Sequence, residues 1–408
     1  KRNILYILLY LAYYPSFITR VIEVPYWGSI CNIIILASGI YYGLNIFKKR
    51  QNNSYIIIAM LLFVTLNVAT CFSGNLEFIY ASTIRMIKSI SFVLTTEYLI
   101  LKYDVKIFIS VLMFLMEVLN YANLLSMIIY PNGMYHTEWI NGIDVAVKSS
   151  GDYIRTTERV HWLLGHQSIT IRFVLPAVCI ALLYSIVMDE GRFLKKTIHF
   201  RVRSVLLMVV CIGETIIANS GGNYVILVMF SIFLLILKKK NFIKTWWILL
   251  GVAVFYSISS LLAQTNIFSI ISLVVGRSVD LISRCKTWLM VVKSWSNKPF
   301  IGYGFIDENS KTVRRLMNNY GNPHSDYLWV LFEGGIIAIL IFSILIIVIG
   351  NKAERKNGLA AKIIFSSFIC LLIMMLDDDH IFRSQYIMII FSLCYHVPKI
   401  EEYIDYSQ

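Results

Sequence analysis

Long apolar runs recur along the whole chain and constrain its fold more than any other feature. They begin near residues 4, 28, 55, 86, 107, 167, 204, 223, 245, 327, 363 and 381. Each extends over roughly 15 to 24 residues, which is the length of a helix that crosses a bilayer. We therefore predict an all-α polytopic membrane protein with about 12 transmembrane helices.

The composition supports this class and excludes others. Hydrophobic residues make up 58% of the chain and charged residues 15%, values that a water-soluble protein of this size does not reach. The net charge of +13 comes from short clusters between apolar runs, so we expect no nucleic-acid partner. Six of the seven cysteines lie in or beside apolar runs without metal or disulfide spacing, which indicates small core residues.

The basic clusters alternate with turns that carry no Lys or Arg. One side receives clusters such as Lys48-Lys49-Arg50 and Lys238-Lys239-Lys240, whereas the short turns Ser73–Ser82 and Asn219–Gly222 on the other side contain neither residue type. Cytoplasmic loops are enriched in Lys and Arg. We therefore expect both termini to lie in the cytoplasm.

Two long loops fall on the outer side in this topology, at residues 131–165 and 264–326 of a single membrane domain that covers 1–408. The first carries Lys148, Arg155 and Arg159, and the second carries eight basic residues. Long loops cross the membrane regardless of charge, so the topology stands. The outer arginines nevertheless need a partner.

The second loop places arginines and tryptophans on one helical face. Four residues fall within about 40° of one another on a helix. They are Arg277, Arg284, Trp288 and Trp295. Lys286 and Lys293 fall on the opposite face. Arginines along an apolar stripe indicate an anion such as phosphate or pyrophosphate, and indoles offer faces for a sugar or an isoprenoid chain. The alternative is a basic amphipathic helix on lipid headgroups with interfacial tryptophans.

His324 is the candidate catalytic base. It follows Asn322-Pro323 and precedes Ser325-Asp326, which predicts a position at the start of a helix. A helix N-terminus disfavours the imidazolium, so the ring stays neutral and accepts a proton. The alternative is a structural histidine that only makes hydrogen bonds.

Charged residues within or beside apolar runs form a weaker set. Arg172 lies close enough to the outer end to reach the same anion, and Arg383 is expected to pair with the acidic turn Asp377–His380. That turn could bind a divalent cation, but a balance with outer arginines or simple solvation is the stronger interpretation. Arg85 is interpreted as an interfacial anchor, and Glu333 as a carboxylate oriented by a polar neighbour.

The order of motifs from Arg284 onward resembles the O-antigen ligase and Wzy-type polysaccharide polymerase superfamily. The pieces are Arg284-x-x-x-Trp288, Pro299-Phe-Ile-Gly302-Tyr-Gly304, His324-Ser-x-Tyr327-Leu328 and Glu333-Gly-Gly. The turn Gly165-His166-Gln167-Ser168 is similar to the Gly-His-Pro-Asn turn of Gram-positive polymerases of this type. One departure is Asn219-Ser220-Gly221-Gly222, where the family often has Ser-Arg, and Arg172 is a candidate replacement.

The resemblance implies glycan transfer from an undecaprenyl-pyrophosphate carrier to a sugar hydroxyl, at the outer face of the bacterial cytoplasmic membrane. His324 and Arg284 are the expected catalytic residues, with inversion at the anomeric carbon and without a metal or another cofactor. The expected substrate-binding residues are Arg277, Trp288, Arg172, Arg159, Arg314, Arg315, His166 and Tyr327.

We expect a polymerase that joins lipid-linked repeat units of a capsule, an exopolysaccharide or an O-antigen. Its expected partners are the lipid-linked donor and acceptor and the bilayer, and a chain-length regulator is a further candidate. Two alternatives stay open at this point: a ligase of the same family, and a lipid-linked oligosaccharide flippase. A flippase is expected to show internally repeated halves, whereas the notable residues here cluster in one late loop.

Overall fold

A computed structural model describes most of the chain. The described residues are 2–13, 26–48, 53–74, 76–140, 143–148, 159–188, 201–239, 244–262, 278–305, 316, 323–376 and 384–406. Several singled-out features lie outside them: Arg155, Arg277, Arg314, Arg315, Arg383 and Asp377–His380. The side chain of Arg159 is likewise outside the described part, although its backbone belongs to a strand.

Helices dominate the fold, and every predicted apolar run overlaps one of them. In chain order they are α1 (Arg2–Leu11), α2 (Trp27–Lys48), α3 (Ser54–Phe72), α4 (Ile79–Lys102), α5 (Val105–Ile129), α6 (Ile171–Val187), α7 (Val202–Ala218), α8 (Gly221–Lys239), α9 (Thr245–Leu262), α10 (Ser278–Trp295), α11 (Asp326–Glu354), α12 (Leu359–Met374), α13 (Met388–Tyr395) and α14 (Val397–Tyr406). Short 3-10 turns precede α4 at Leu76–Phe78 and α13 at Gln385–Ile387.

Within the described residues, four helices are long and apolar enough to cross a membrane by themselves: α2, α3, α5 and α11. Shorter apolar helices accompany them, among them α6, α8, α9 and α12. Nearly every residue of α6 and α12 is buried, which is the pattern of helices surrounded by other helices. The chain is therefore a multi-pass helical membrane protein, while the count of about 12 spans stays a prediction.

The first long loop contains a small antiparallel sheet that the sequence analysis did not predict. Its strands are β1 (Tyr135–Ile140), β2 (Ile143–Lys148), β3 (Arg159–Trp162) and β4 (Gly165–His166), in the order β2-β1-β3-β4. Ile140 pairs with Ile143 across the dipeptide Asn141-Gly142, the sequence most typical of a two-residue hairpin turn. The sequence thus carries a local signal for this hairpin.

Contacts between helix ends show which of these ends lie on the same side of the bundle. Glu354, near the end of α11, accepts hydrogen bonds from the backbone N–H and hydroxyl of Thr245 at the start of α9. The phenol of Tyr6 bonds that of Tyr103 after α4, and Glu401 of α14 accepts from the N–H of Ala361 in the first turn of α12. The first helix begins and the last helix packs at this end, opposite the start of α11.

Candidate active site

Helix α11 is broken at Gly335, and the segment after α10 binds to the break. Gly335 has φ 64° and ψ −160°, a conformation open essentially to glycine alone. The N–H of Tyr303 donates to the carbonyl of Phe332 at 2.8 Å, and that of Gly304 donates to the carbonyl of Glu333 at 2.9 Å. In return, the carbonyl of Pro299 accepts from the N–H of Ile336 at 2.8 Å. The loop thus replaces helical hydrogen bonds that the break removes.

The glycines of this loop are required by close backbone contact. A Cβ on Gly302 would lie 2.5 Å from the Phe332 carbonyl oxygen, and Gly302 and Gly304 have φ of 75° and 74°. A Cβ on Gly335 would overlap the carbonyl of Phe300. The Tyr303 ring stacks on Phe332 with centroids 4.7 Å apart. The two motifs Gly302-Tyr-Gly304 and Glu333-Gly-Gly are therefore complementary parts of one joint.

A buried ion pair lies at the same joint. Two guanidinium nitrogens of Arg85, on α4, donate to the two carboxylate oxygens of Glu333, one of them at 2.9 Å. The Glu333 side chain is fully buried and that of Arg85 is 12% exposed. The Arg85 guanidinium also lies 4.6 Å from the ring centroid of Phe305. Arg85 is thus the polar neighbour expected for Glu333, and its interpretation as a plain interfacial anchor is wrong.

His324 lies in the turn that starts α11, as predicted. Ser325 is the N-cap, and its hydroxyl accepts from the N–H of Leu328. The same hydroxyl donates to the carbonyl of Met375 at 3.1 Å and lies 2.5 Å from the phenol of Tyr256 on α9. His324 itself is partly exposed and has φ 47°. A non-glycine residue in this conformation is uncommon and is held here by neighbours on both sides.

Trp288 joins α10 to the His324 turn. Its indole N–H donates to the carbonyl of Pro323 at 3.0 Å, and its side chain is 2% exposed. The rings of Phe255 and Tyr256 on α9 pack against it. Arg284 is one turn earlier on α10, about 6 Å along the axis. The helix that carries Arg284 is therefore attached directly beside His324.

The predicted division of α10 into two faces agrees with the burial of its residues. Lys286 and Lys293 are exposed, Trp288 is buried, and Arg284 and Trp295 are partly buried. The Trp295 indole donates to the carbonyl of Pro299 at 2.9 Å, so this tryptophan supports the glycine loop. Burial raises the pKa of the neighbouring Cys285 thiol to about 11 and keeps it uncharged. The buried arrangement gives Trp288 a positioning role, and its contact with a ligand stays a prediction.

The Gly165–Ser168 turn belongs to the same end of the bundle. The carbonyl of Gln167 accepts from the side chain of Asn223 in the first turn of α8 at 3.0 Å. The hydroxyl of Ser168 lies 3.0 Å from Nδ1 of His166. The ring of His166 also packs edge-on against that of His161, with centroids 5.4 Å apart. His166 is therefore on the side of the bundle where α6 and α8 start.

Two further predicted residues are buried at the starts of α6 and α11. Arg172 is in the first turn of α6 and is 1% exposed. Its neighbour Phe173 packs on Tyr386, which immediately precedes α13. Tyr327 is 5% exposed and donates its hydroxyl to the carbonyl of Leu372 on α12 at 3.0 Å. Binding of substrate by Arg172 and Tyr327 stays a prediction.

Sequence reasoning missed the residues that hold these pieces together. Tyr256 bonds both Ser325 and the carbonyl of Leu376, and Thr70 at the end of α3 accepts from the N–H of Phe305 at 2.9 Å. Neither stands out from an apolar helix in the sequence. Asp326 does stand out in the sequence, because an acidic residue in the first turn is a recognised signal for the start of a helix.

Comparison with known proteins finds one family that a segment of the chain resembles. Residues 204–343 match the family model described as O-Antigen ligase (Wzy_C), a segment that contains Arg284, the glycine loop, His324 and Glu333. No curated protein and no solved structure matches the chain significantly. The motifs that build the joint and the His324 turn mostly lie within the matched segment, so this part of the membrane protein is similar to the O-antigen ligase and Wzy-type polymerase family.

Proposed function

We propose that the chain is a polymerase that joins undecaprenyl-pyrophosphate-linked oligosaccharide repeat units outside the cytoplasmic membrane. The family supports a membrane enzyme of the ligase or polymerase type. The observation that carries the finer proposal is the hydrogen bond from Trp288 to Pro323, because it fastens the helix with Arg284 beside the turn with His324. A permanent cation next to an imidazole suits a reaction that expels a pyrophosphate and deprotonates an alcohol.

The proposed reaction is a direct displacement. A hydroxyl oxygen of the acceptor sugar forms a bond to the anomeric carbon of the donor glycan, and the bond from that carbon to the pyrophosphate oxygen breaks. His324 takes the hydroxyl proton, and the pyrophosphate leaves with the bonding electron pair. Attack from the opposite side inverts the anomeric carbon. Arg284 stabilises the negative charge that grows on the leaving group, a role for which preorganised donors are suited.

Further arginines are proposed to hold the pyrophosphate. Arg277, Arg314 and Arg315 belong to the same loop in the sequence, and Arg172 lies in the first turn of α6 at the same end of the bundle. Arg159 and His166 come from the first loop. The chemistry asks for no metal, since cationic side chains can neutralise a pyrophosphate.

The distribution of charge supports an extracytoplasmic site. Residues at the helix ends remote from His324 include Lys48, Lys102, Arg201, Lys244 and Lys352. A membrane protein keeps its basic short segments in the cytoplasm. We propose that both termini are cytoplasmic and that the His324 turn faces the other side, where lipid-linked repeat units are joined.

The direct test is reconstitution of the purified chain in liposomes with lipid-linked repeat units as the only glycan. A ladder of products that differ by one repeat unit supports a polymerase. Transfer of preformed glycan to a different acceptor, with no ladder, supports a ligase. Translocation without any new glycosidic bond rejects an enzyme. Addition of a chelator is expected to leave the ladder unchanged, and strong inhibition would implicate the acidic turn Asp377–His380 in metal binding.

A further inference from the structure

The turn that carries His166 is attached to the helix bundle by buried side chains. Leu163 and Leu164 are the two residues between β3 and β4. The N–H of Leu163 donates to the hydroxyl of Ser126 at 3.2 Å. The N–H of Leu164 donates to the side-chain oxygen of Asn123 at 2.8 Å. Because Asn123 and Ser126 both belong to α5 and are 1% and 8% exposed, the backbone of the turn is held by the interior of the bundle.

Glu214 of α7 orients the Asn123 amide. The amide nitrogen of Asn123 donates to Oε1 of Glu214 at 2.8 Å, and Glu214 is fully buried. Among the described residues, the other carboxyl oxygen of Glu214, Oε2, has no hydrogen-bond partner. An amide group carries a donor on one side and an acceptor on the other. An acceptor on the α7 side keeps the nitrogen there, so the Asn123 oxygen faces the N–H of Leu164.

The position of Glu214 indicates more than a tie between two helices. An acidic residue within an apolar helix of a membrane protein is costly and marks a function more often than support. Apolar packing already joins α5 to α7 at this level, since Met127, Trp162 and Ala218 form one buried cluster. The bond between Asn123 and Glu214 adds the polar contact that reaches the backbone of the turn.

The ring of His166 depends on this backbone. His166 follows Leu164 by two residues and is paired with His161 across β3 and β4, where the two rings pack edge-on. Its Nδ1 accepts from the N–H of Ser168 at 3.3 Å, so a main-chain group of the same turn orients the ring. Loss of the bond from Leu164 to Asn123 therefore releases the backbone from which the imidazole projects.

We propose that Asn123 and Glu214 are positioning residues for His166: they fix the turn and thereby set the imidazole in the substrate-binding site. The inference rests on the proposed function, in which His166 contacts the lipid-linked substrate. Asn123 and Glu214 are 1% and 0% exposed, so they act through the turn and not by contact with a glycan.

Hydrogen exchange tests the attachment without requiring catalysis. Asn123→Leu and Glu214→Leu are made singly in the full chain, and amide exchange is followed by mass spectrometry in the peptide that covers residues 160–168. We expect exchange there to accelerate about fivefold in both variants, the effect of losing one hydrogen bond. Unchanged exchange in both variants would overturn the proposal.

Asn120→Leu is the matched control. Asn120 is fully buried and lies one turn before Asn123 on α5, but its side chain donates to the carbonyl of Met116 on the same helix. We expect its removal to leave exchange in the peptide 160–168 unchanged. An acceleration as large as that in Asn123→Leu would show a general loosening of the bundle and contradict a specific attachment.

Two milder variants keep the test decisive if a leucine variant does not fold. Ser126→Ala removes the acceptor of the Leu163 N–H, and alanine favours a helix, so we expect faster exchange in the same peptide. Glu214→Gln keeps a side-chain oxygen that accepts from the Asn123 amide, so we expect wild-type exchange and transfer. Exchange in Glu214→Gln as fast as in Glu214→Leu would reject the acceptor as the reason for this residue.

Transfer rates show whether Glu214 acts through His166. Once the imidazole is absent, Glu214 has no ring to position. We therefore expect Glu214→Leu alone to impair transfer, and His166→Asn with Glu214→Leu to be no slower than His166→Asn alone. Wild-type transfer by Glu214→Leu, or losses that multiply in the double variant, would overturn the positioning role. If the reconstituted chain makes no glycosidic bond while the exchange results hold, the proposed function fails and the attachment of the turn stands.

Discussion

Arg85 and Glu333 form a buried, two-pronged ion pair across 248 residues of sequence. Glu333 is two turns into α11, immediately before the break at Gly335. The carbonyl of Glu333 receives the N–H of Gly304, so one residue is held through its side chain by α4 and through its backbone by the glycine loop. The pair thereby fixes how the outer part of α11, which starts at the His324 turn, sits against α4.

Removal of one member of this pair is expected to destabilise the protein strongly. Arg85→Met leaves a buried carboxylate without its partner, a change that costs about 3–5 kcal/mol in comparable buried pairs. Glu333→Gln added to Arg85→Met removes the stranded charge, so the double variant should regain part of the loss. Thermal unfolding in the same detergent compares the wild type, Arg85→Met and the double variant. Lys88→Met on the same helix is the matched control, and an equal loss there would contradict a specific role for the pair.

The break in α11 is expected to require glycine. Gly335→Ala places a Cβ against the Phe300 carbonyl at a φ of 64°, so we expect a lower unfolding temperature and loss of transfer. Gly222→Ala is the control, because a Cβ there meets nothing within 4 Å and alanine favours a helix. Unfolding temperature and ladder formation are measured for both variants. Wild-type behaviour of Gly335→Ala would show that the break is dispensable.

Long apolar runs located the helices well because burial in a membrane demands long apolar segments. Each predicted run overlaps a helix, but α4 begins at Ile79 rather than near residue 86. Arg85 caused that error, since a charge within a run suggests its end. The ion pair with Glu333 neutralises this charge, and the helix continues through it.

The joints between helices could not be read from the sequence. Gly302 was recognised as part of a motif, but glycine is required there because its backbone contacts that of Phe332, on helix α11. The partner of Arg85 depends on how α4 is placed relative to α11 in the folded chain, which no local pattern specifies. The buried and exposed faces of α10 were predictable because they depend only on the helical period. Trp288 is buried and Lys286 and Lys293 are exposed, as that period predicts.

Trp288→Phe is expected to impair transfer through the His324 turn. The buried carbonyl of Pro323 loses its donor, which costs about 1–3 kcal/mol and loosens the attachment of α10. We expect a fall in kcat that is larger than the loss of stability, measured as the drop in unfolding temperature, would explain. Trp246→Phe is the control, because Trp246 is 48% exposed and faces away from the core. If both variants match the wild type, the Trp288 hydrogen bond does not position the site.

Cysteine labelling tests the orientation of the bundle. Glu77 is exposed in the turn before α4, at the His324 end, and Asn357 is exposed after α11, at the opposite end. In a Cys71→Ser background, we expect a membrane-impermeant maleimide on intact cells to label Glu77→Cys and to leave Asn357→Cys unlabelled until the membrane is permeabilised. Cys71 is replaced because it is the exposed one among the seven cysteines. The reverse pattern would place His324 in the cytoplasm and reject the proposed site of polymerisation.

His324→Asn is the sharpest test of the proposed base. Asparagine tolerates the left-handed backbone that His324 adopts at φ 47°, so this variant removes the imidazole and keeps the turn. We expect ladder formation to fall by about 10²–10⁴-fold, the usual contribution of a general base, with an unchanged unfolding temperature. His166→Asn, in the turn before α6, is the comparison. A His324→Asn variant with normal ladders would exclude His324 as the base.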